Sequence, residues 1–339
     1  VTGYTTDVGE KTITVALKEG KAAEAKGTNA GKYYMGLKED DFTVTSANYS
    51  NIKVVVVDGY LDITPITDEV TVTITGNHDS KVYNGSEQSV TGYTTDVGEK
   101  TINVTLDETG KDTARGTNAN TYPMGLTEAD FTVTSENYSN IKVVVVDGYL
   151  EITPITEEVT VTITGNHGSK VYNGSEQSVT GYTTDVGEKT INVALKEDSK
   201  AEAKGTDVGT YNMGLTADDF TVTSQNYSNI KVVVVDGYLK ITPITDEVTV
   251  NITGNHDSKV YNGSEQSVTG YTTDVGEKTI AVALKEGSKA EAKGTDVDTY
   301  YMGLKEDDFT VTSKNYSNIK VVVVDGYLKI TPITDEVTV

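Results

Sequence analysis

Three histidines sit in three copies of the turn Gly-Asn-His, at His78, His167 and His256. An imidazole can bind a metal ion, but a site needs further ligands at matching spacing. Asp79 and Asp257 follow the first and third of these histidines, while Gly168 follows the second. The obvious partner is therefore not retained, and the expectation is a solvated turn. A second cluster, Glu39-Asp40-Asp41, recurs as Glu128-Ala129-Asp130, Ala217-Asp218-Asp219 and Glu306-Asp307-Asp308. Calcium takes such oxygens, but the spacing is not that of an EF-hand loop and the number of carboxylates varies between copies. Capping of a short helical turn is the expected role. Asn48-Tyr49-Ser50 and Asn84-Gly85-Ser86, with their copies, fit the glycosylation pattern and are read as turn residues. No nucleophile elbow, phosphate loop or paired catalytic constellation is present. The sequence thus predicts no catalytic, cofactor-binding or metal-binding residues, and a protein that is not an enzyme.

What must position these residues is a repeat. Val1-Thr2-Gly3-Tyr4 returns at Val90, Val179 and Val268, and Pro65, Pro154, Pro243 and Pro332 recur every 89 residues. A long fixed period marks a tandem array. The expected organisation is an incomplete repeat over 1–65 that lacks its first strands, complete repeats over 66–154, 155–243 and 244–332, and over 333–339 the first strand of a following repeat. Strand donation between chains could mend such ends, but the sequence reads as a window cut from a longer array. Each complete unit is large enough for one modest core.

In the unit 66–154, Val70, Val72 and Ile74 alternate with threonines and predict a half-buried strand. Gly76 to Ser80 reads as a turn cluster. Asn84-Gly85 and Asp147-Gly148 each predict a hairpin, with a type I′ turn at the first. Ile102 to Leu106 alternates again. Asp107 to Asn120 reads as a loop or meandering edge, and Pro123 places Tyr122-Pro123-Met124 at an edge. Leu126 to Phe131 reads as one helical turn with Thr127 as its cap, followed by a strand from Phe131. Ile141 to Val146 is the most apolar run and predicts a central strand covered on both faces. About seven short strands per unit predict an all-β fold: a tandem array of small β-sandwich-like domains. Copies differ mainly at 107–121 and its equivalents, which are expected to be exposed.

The connection from Leu150 to Val159 contains Pro154 but no Gly or Ser. Pro restrains itself and the residue before it to extended conformations. A taut joint predicts an elongated rod with restricted bending, each unit adding roughly 30–45 Å.

Composition sets limits. The chain has 339 residues, no cysteine, 51 acidic against 28 basic residues and a formal net charge of −23. Disulfides and thiolate metal sites are excluded. The charge opposes electrostatic binding to nucleic acid or an anionic membrane, and no apolar run is long enough to span a bilayer as a helix.

The motifs taken in order suggest a family. Val82-Tyr83-Asn84-Gly85, Val90-Thr91-Gly92-Tyr93, Gly116 to Leu126, Asp130-Phe131, Asn137-Tyr138-Ser139-Asn140 and Val146 to Pro154 together resemble the tandem mostly-β, glycine-containing and Ig-like repeats of large bacterial surface proteins, especially Gram-positive ones. The resemblance covers essentially the whole chain. That family commonly has Asp where this chain has Asn84. The resemblance implies an extracellular, cell-surface stalk or fibre displaying an adhesive tip, with neighbouring repeats and other copies of the chain as partners. It carries over no catalytic residues. By the same analogy Lys142, with Lys53, Lys231 and Lys320, could form an internal isopeptide bond with an Asn; the plainer expectation is a lysine stem lying along a strand end. The alternative function is a multivalent adhesin in which Tyr93 and Tyr122 stack on sugars and repetition supplies avidity.

Overall fold

A computed structural model describes residues 1–335. Two compact units divide the chain, Val1–Thr156 and Glu157 onward. The first contains sequence repeats 1 and 2, the second repeats 3 and 4. The strand expected at 333–339 falls largely on residues 336–339, which lie outside the described residues.

Repeat 2 has ten short strands: β1 (Val70–Gly76), β2 (His78–Val82), β3 (Gln88–Thr91), β4 (Tyr93–Thr95), β5 (Asn103–Leu106), β6 (Thr113–Gly116), β7 (Asn120–Pro123), β8 (Phe131–Thr134), β9 (Ile141–Val146) and β10 (Tyr149–Thr153). They form sheets in the orders β9-β1-β4, β7-β10-β2, β6-β3 and β8-β5. Repeats 3 and 4 repeat the same pairings. The architecture is all-β: among the described residues the only helical elements are three-residue 3-10 turns, one before each β8 counterpart.

Two features organise the repeat. First, β1 and β2 form one bent ribbon interrupted only by Asn77, and β9 and β10 form another across Asp147-Gly148. The ribbons run parallel: Val70 faces Ile141 and Thr75 faces Val146. After the bend His78 faces Tyr149 and Val82 faces Thr153. The sequence offset is 71 on both sides, so the register passes unbroken from one sheet to the next. Parallel pairing needs a long crossover, and the middle of the repeat supplies it. Second, the ribbons touch at their bends. A Cβ on Gly76 would lie 2.4 Å from the Gly148 nitrogen, and one on Gly148 would lie 2.4 Å from the Asn77 oxygen. Only glycine permits that approach.

The core lies between the ribbons and the strands facing them. Val72, Ile74 and Leu150 are fully buried, joined by Ile152, Ile102, Ala114, Met124, Leu126 and Phe131. Burying each large aliphatic side chain is worth about 1.5–3 kcal/mol. Tyr93 meets Phe131 edge-on at 5.0 Å.

Several expectations are corrected. Gly76 and His78 to Ser80 lie in strands, with only Asn77 between them, and form no turn cluster. Asn84-Gly85 joins no hairpin, because β2 pairs with β10 and β3 with β6. No non-glycine residue has positive φ among the described residues, so a type I′ turn is excluded there. Asp147-Gly148 likewise joins strands of different sheets. The central strand is β1, with Val72 and Ile74 buried and Thr71 exposed, whereas the more apolar β9 is at an edge with Val146 half exposed. Apolarity misleads here because β9 lies beside β1 and is covered on one side only.

Repeat 1 has four strands, Ile13–Leu17, Gly31–Tyr34, Phe42–Ser46 and Tyr60–Ile63. Residues 52–57 carry the β9 sequence but no counterpart of β1 accompanies them, and they form no strand; Val57 is 91% exposed.

Candidate functional site

The residues singled out for chemistry are held in structural roles. His78 stacks on Tyr149 across the parallel β2/β10 pair at 5.4 Å and 17°. His167 and His256 do the same with Tyr238 and Tyr327 at 5.3 Å. Asp79 and Asp257 pair with Lys81 and Lys259. Among the described residues no group of three or more His, Cys, Asp or Glu side chains is arranged to hold a metal.

The acidic turns are capped from within. Asp41, Asp130, Asp219 and Asp308 accept the backbone N–H of Lys38, Thr127, Thr216 and Lys305 at 2.7–2.8 Å. Thr127 and Thr216 also donate their hydroxyls. Further donors reach the same carboxylates: Lys21 on Asp41, Ser199 on Asp219 and Ser288 on Asp308. These bonds favour the charged form. Asp41 is held below the usual carboxylate range first by Lys21, Asp130 by the Thr127 hydroxyl, Asp219 by the Thr216 N–H and Asp308 by Ser288.

Two aspartate series escaped sequence reasoning. Asp96 and Asp185 accept the N–H of Thr73 and Thr162 at 2.7 Å, tying a loop to the central strand; this bond is the largest cause of their lowered pKa. Asp274 does the same with Asn251, whose side-chain bond is the larger cause there. Asp147 accepts Gly125 and Leu126 N–H, both at 2.9 Å, which is the reason for an Asp before Gly148. The verbatim repetition of Thr-Asp-Val-Gly and Val-Asp-Gly was the available signal.

Lys142 and its counterparts face solvent. Lys231 and Lys320 pair with Glu158 and Glu247 at 3.6 and 4.0 Å, not with an asparagine. Asn84 accepts the N–H of Ser86 at 2.9 Å, a local turn. Tyr93 is half buried against Phe131. Tyr122 is also half buried, donates its hydroxyl to the Asn118 carbonyl and lies over Gly116, where a Cβ would come within 2.1 Å of its ring. Neither tyrosine offers an open face to a sugar.

Side chains do converge at the joint between successive repeats within each unit. In the second unit Asn315, from the loop after the strand Phe309–Thr312, reaches back into the loop before the strand Gly209–Asn212. Its Oδ1 accepts the Val208 N–H at 2.8 Å. Its Nδ2 donates to Asp207 Oδ1 at 2.9 Å and to Thr279 Oγ1 at 2.7 Å. The side chain is 2% exposed. Ile244, directly after Pro243, donates its N–H to the Asn315 carbonyl and accepts from Ser317, so the linker is stapled to the same loop. Tyr172 meets Tyr316 edge-on across the joint at 6.0 Å.

The first unit repeats the arrangement. Asn137 accepts the Ala30 N–H at 2.6 Å and donates to Asn29 Oδ1 at 3.0 Å and Thr101 Oγ1 at 2.6 Å. Ile66 bonds to Asn137 and Ser139. A buried amide with its donors and acceptor engaged fixes orientation, because any displacement leaves polar groups unmet.

No protein-family model matches the chain. No curated protein matches it either. Among solved structures, the N-terminal four Ig domains of Dscam1 isoform 9.44 are similar at 10% identity over 94% of this chain and 91% of that one, with a TM-score of 0.18. The N-terminal eight Ig domains of Down Syndrome Cell Adhesion Molecule isoform 1.30.30 give 12% identity over 89% and 44%, with a TM-score of 0.15. The Bacillus anthracis TIE protein gives 9% over 93% and 66%, also at 0.15. Likeness at this level carries no argument about function.

Proposed function

We propose that this chain is a tension-bearing spacer of an extracellular stalk or filament at a cell surface, holding an adhesive element away from its anchor. The bacterial surface origin follows from the resemblance of its motifs. One observation carries the mechanical reading: the first and last ribbons of each complete repeat pair in parallel with constant offset. Force enters repeat 2 at the start of β1 and leaves at the end of β10. Pulling parallel neighbours from opposite ends slides one along the other. The ladder bonds then share the load and must break together, whereas a hairpin pulled from one end opens bond by bond. The stapled Pro–Ile joints and the Asn locks pass tension into the ladder without slack.

Single-molecule stretching of the full chain tests this. The expected record is three equal events for the three complete repeats, each releasing roughly 30 nm, since 89 residues extend at about 3.5 Å each. Extension without discrete high-force events would remove the proposal.

A further inference from the structure

Each complete repeat contains one Asn-Gly pair, at Asn84, Asn173 and Asn262. Every other asparagine of the chain precedes a residue with a side chain. The difference matters because a backbone nitrogen can attack the side-chain amide of the asparagine before it. Glycine, with no Cβ, leaves that nitrogen uncrowded.

The fold holds all three pairs in one shape. They lie exposed in the loop between β2 and β3 and in its copies. The N–H groups of Ser86, Ser175 and Ser264 donate to Oδ1 of Asn84, Asn173 and Asn262 at 2.9, 3.0 and 2.9 Å. Gly85, Gly174 and Gly263 have φ of 80°, 78° and 76°. A Cβ on Gly85 would meet nothing nearer than the Tyr83 hydroxyl at 4.0 Å, and one on Gly174 or Gly263 nothing within 4 Å, so no neighbour fences the turn. The Ser86 bond has two effects. It closes a ring that contains both the Asn84 amide carbon and the Gly85 nitrogen, so the two reacting atoms share one small turn. It also aims a donor at the oxygen on which negative charge builds when that carbon is attacked.

We infer that Asn84, Asn173 and Asn262 are self-modifying sites that convert to aspartate and isoaspartate in the folded chain, with water as the co-reactant. The Gly85 nitrogen bonds to Asn84 Cγ and gives up its proton. The Cγ–Nδ2 bond breaks, and Nδ2 leaves as ammonia with that proton. Water then adds to either carbonyl of the cyclic imide. Opening at the new N–Cγ bond gives aspartate; opening at the original main-chain bond gives isoaspartate, with the backbone rerouted through the side-chain carbonyl. No electrons are transferred. Either product replaces a neutral amide with a carboxylate, so each event adds one negative charge to a chain already at −23 and raises its self-repulsion. The loop tolerates the change because its flanks are tied: the Tyr83 N–H donates to the Thr153 carbonyl at 2.9 Å, and Gln88 Nε2 donates to the Val82 carbonyl at 3.0 Å. A chain that persists thus records its age as charge.

Peptide mapping of the full chain, kept folded at neutral and at mildly alkaline pH, tests this. All three sites should gain the mass difference between OH and NH2 at similar rates, with ammonia released in step and the other asparagines unchanged. The reaction should quicken at the higher pH, because the attacking nitrogen must shed its proton. The folded chain should react at least as fast at these sites as the chain in urea. Ser86→Pro removes the donor and should slow site 84 by at least about threefold, the worth of one hydrogen bond of ordinary net strength. Sites 173 and 262 in the same molecule are its controls, and the comparison of folded with urea-treated wild type needs no variant to fold. Sites that react more slowly folded than in urea overturn the inference, as does a Ser86→Pro chain whose site 84 keeps pace with the other two. The inference stands apart from the tension reading, and neither outcome alters the stretching record expected of fresh protein.

Discussion

Asn315 engages both ends of its amide at once, and its neighbours have few alternatives. Asn315→Ala strips Val208 of its acceptor and Thr279 of a donor at a site 2% exposed. The expected cost is about 1–3 kcal/mol, the usual penalty for unmet buried polar groups. Calorimetry should show repeats 3 and 4 melting less cooperatively, with Asn137→Ala doing the same to repeats 1 and 2. The aspartates make a separate prediction. Asp41, Asp96, Asp130, Asp185, Asp219, Asp274 and Asp308 are all held below their ordinary pKa. A folded pKa below the unfolded value of about 3.9 means that the unfolded state takes up protons first. Their contribution is therefore complete above that value and is lost as pH falls through the depressed folded values. Urea midpoints should be level from neutral pH down to about pH 5 and decline steadily below about pH 4. Asp185→Asn keeps an acceptor for the Thr162 N–H but loses the charge, so its acid decline should be shallower than that of wild type.

The crossing of the two ribbons is the least forgiving point of the repeat. A Cβ on Gly165 would meet the Gly237 nitrogen at 2.4 Å and its Cα at 2.7 Å, both backbone atoms that cannot rotate away. Gly165→Ala should destabilise repeat 3 by about 1–3 kcal/mol or more, the range for overpacking, seen as a lower denaturant midpoint for that repeat. This crossing was hidden in the sequence. The alternation of Val70, Val72 and Ile74 displayed β1, and Phe131 to Thr134 displayed β8, because each has one buried and one open face. β2, His-Asp-Ser-Lys-Val, has no apolar period to read: its five side chains are exposed or half exposed, and backbone pairing with β10 alone makes it a strand. The same absence made Gly76 to Ser80 look like a turn. Asp-Gly at 147–148 carried a local hairpin signal, but its carboxylate serves Gly125 and Leu126, residues more than twenty positions away. The joint was half legible: Pro154 announced a taut connection, while Asn137 looked like one more turn residue because its partners lie 107 and 108 positions upstream.

For the whole chain, direction of pull should matter more than composition. The chain has no cysteine, so paired handles can be introduced cleanly. Handles at Ile66 and Ile155 load the repeat 2 ribbons lengthwise; handles at Gly85 and Ile155 draw β2 and β10 apart from one shared end. The second geometry should yield at a severalfold lower force, and equal forces would contradict the shear argument. The parallel ladder also governs how a repeat comes into being. Val72 and Ile74 find Val143 and Val145 only when nearly nine-tenths of the repeat has been made. A polypeptide emerging from a ribosome or threading through an export pore cannot close its ladder early, and loop closure over such a separation is slow. Each repeat thus remains pliable during passage and hardens only once its tail has arrived.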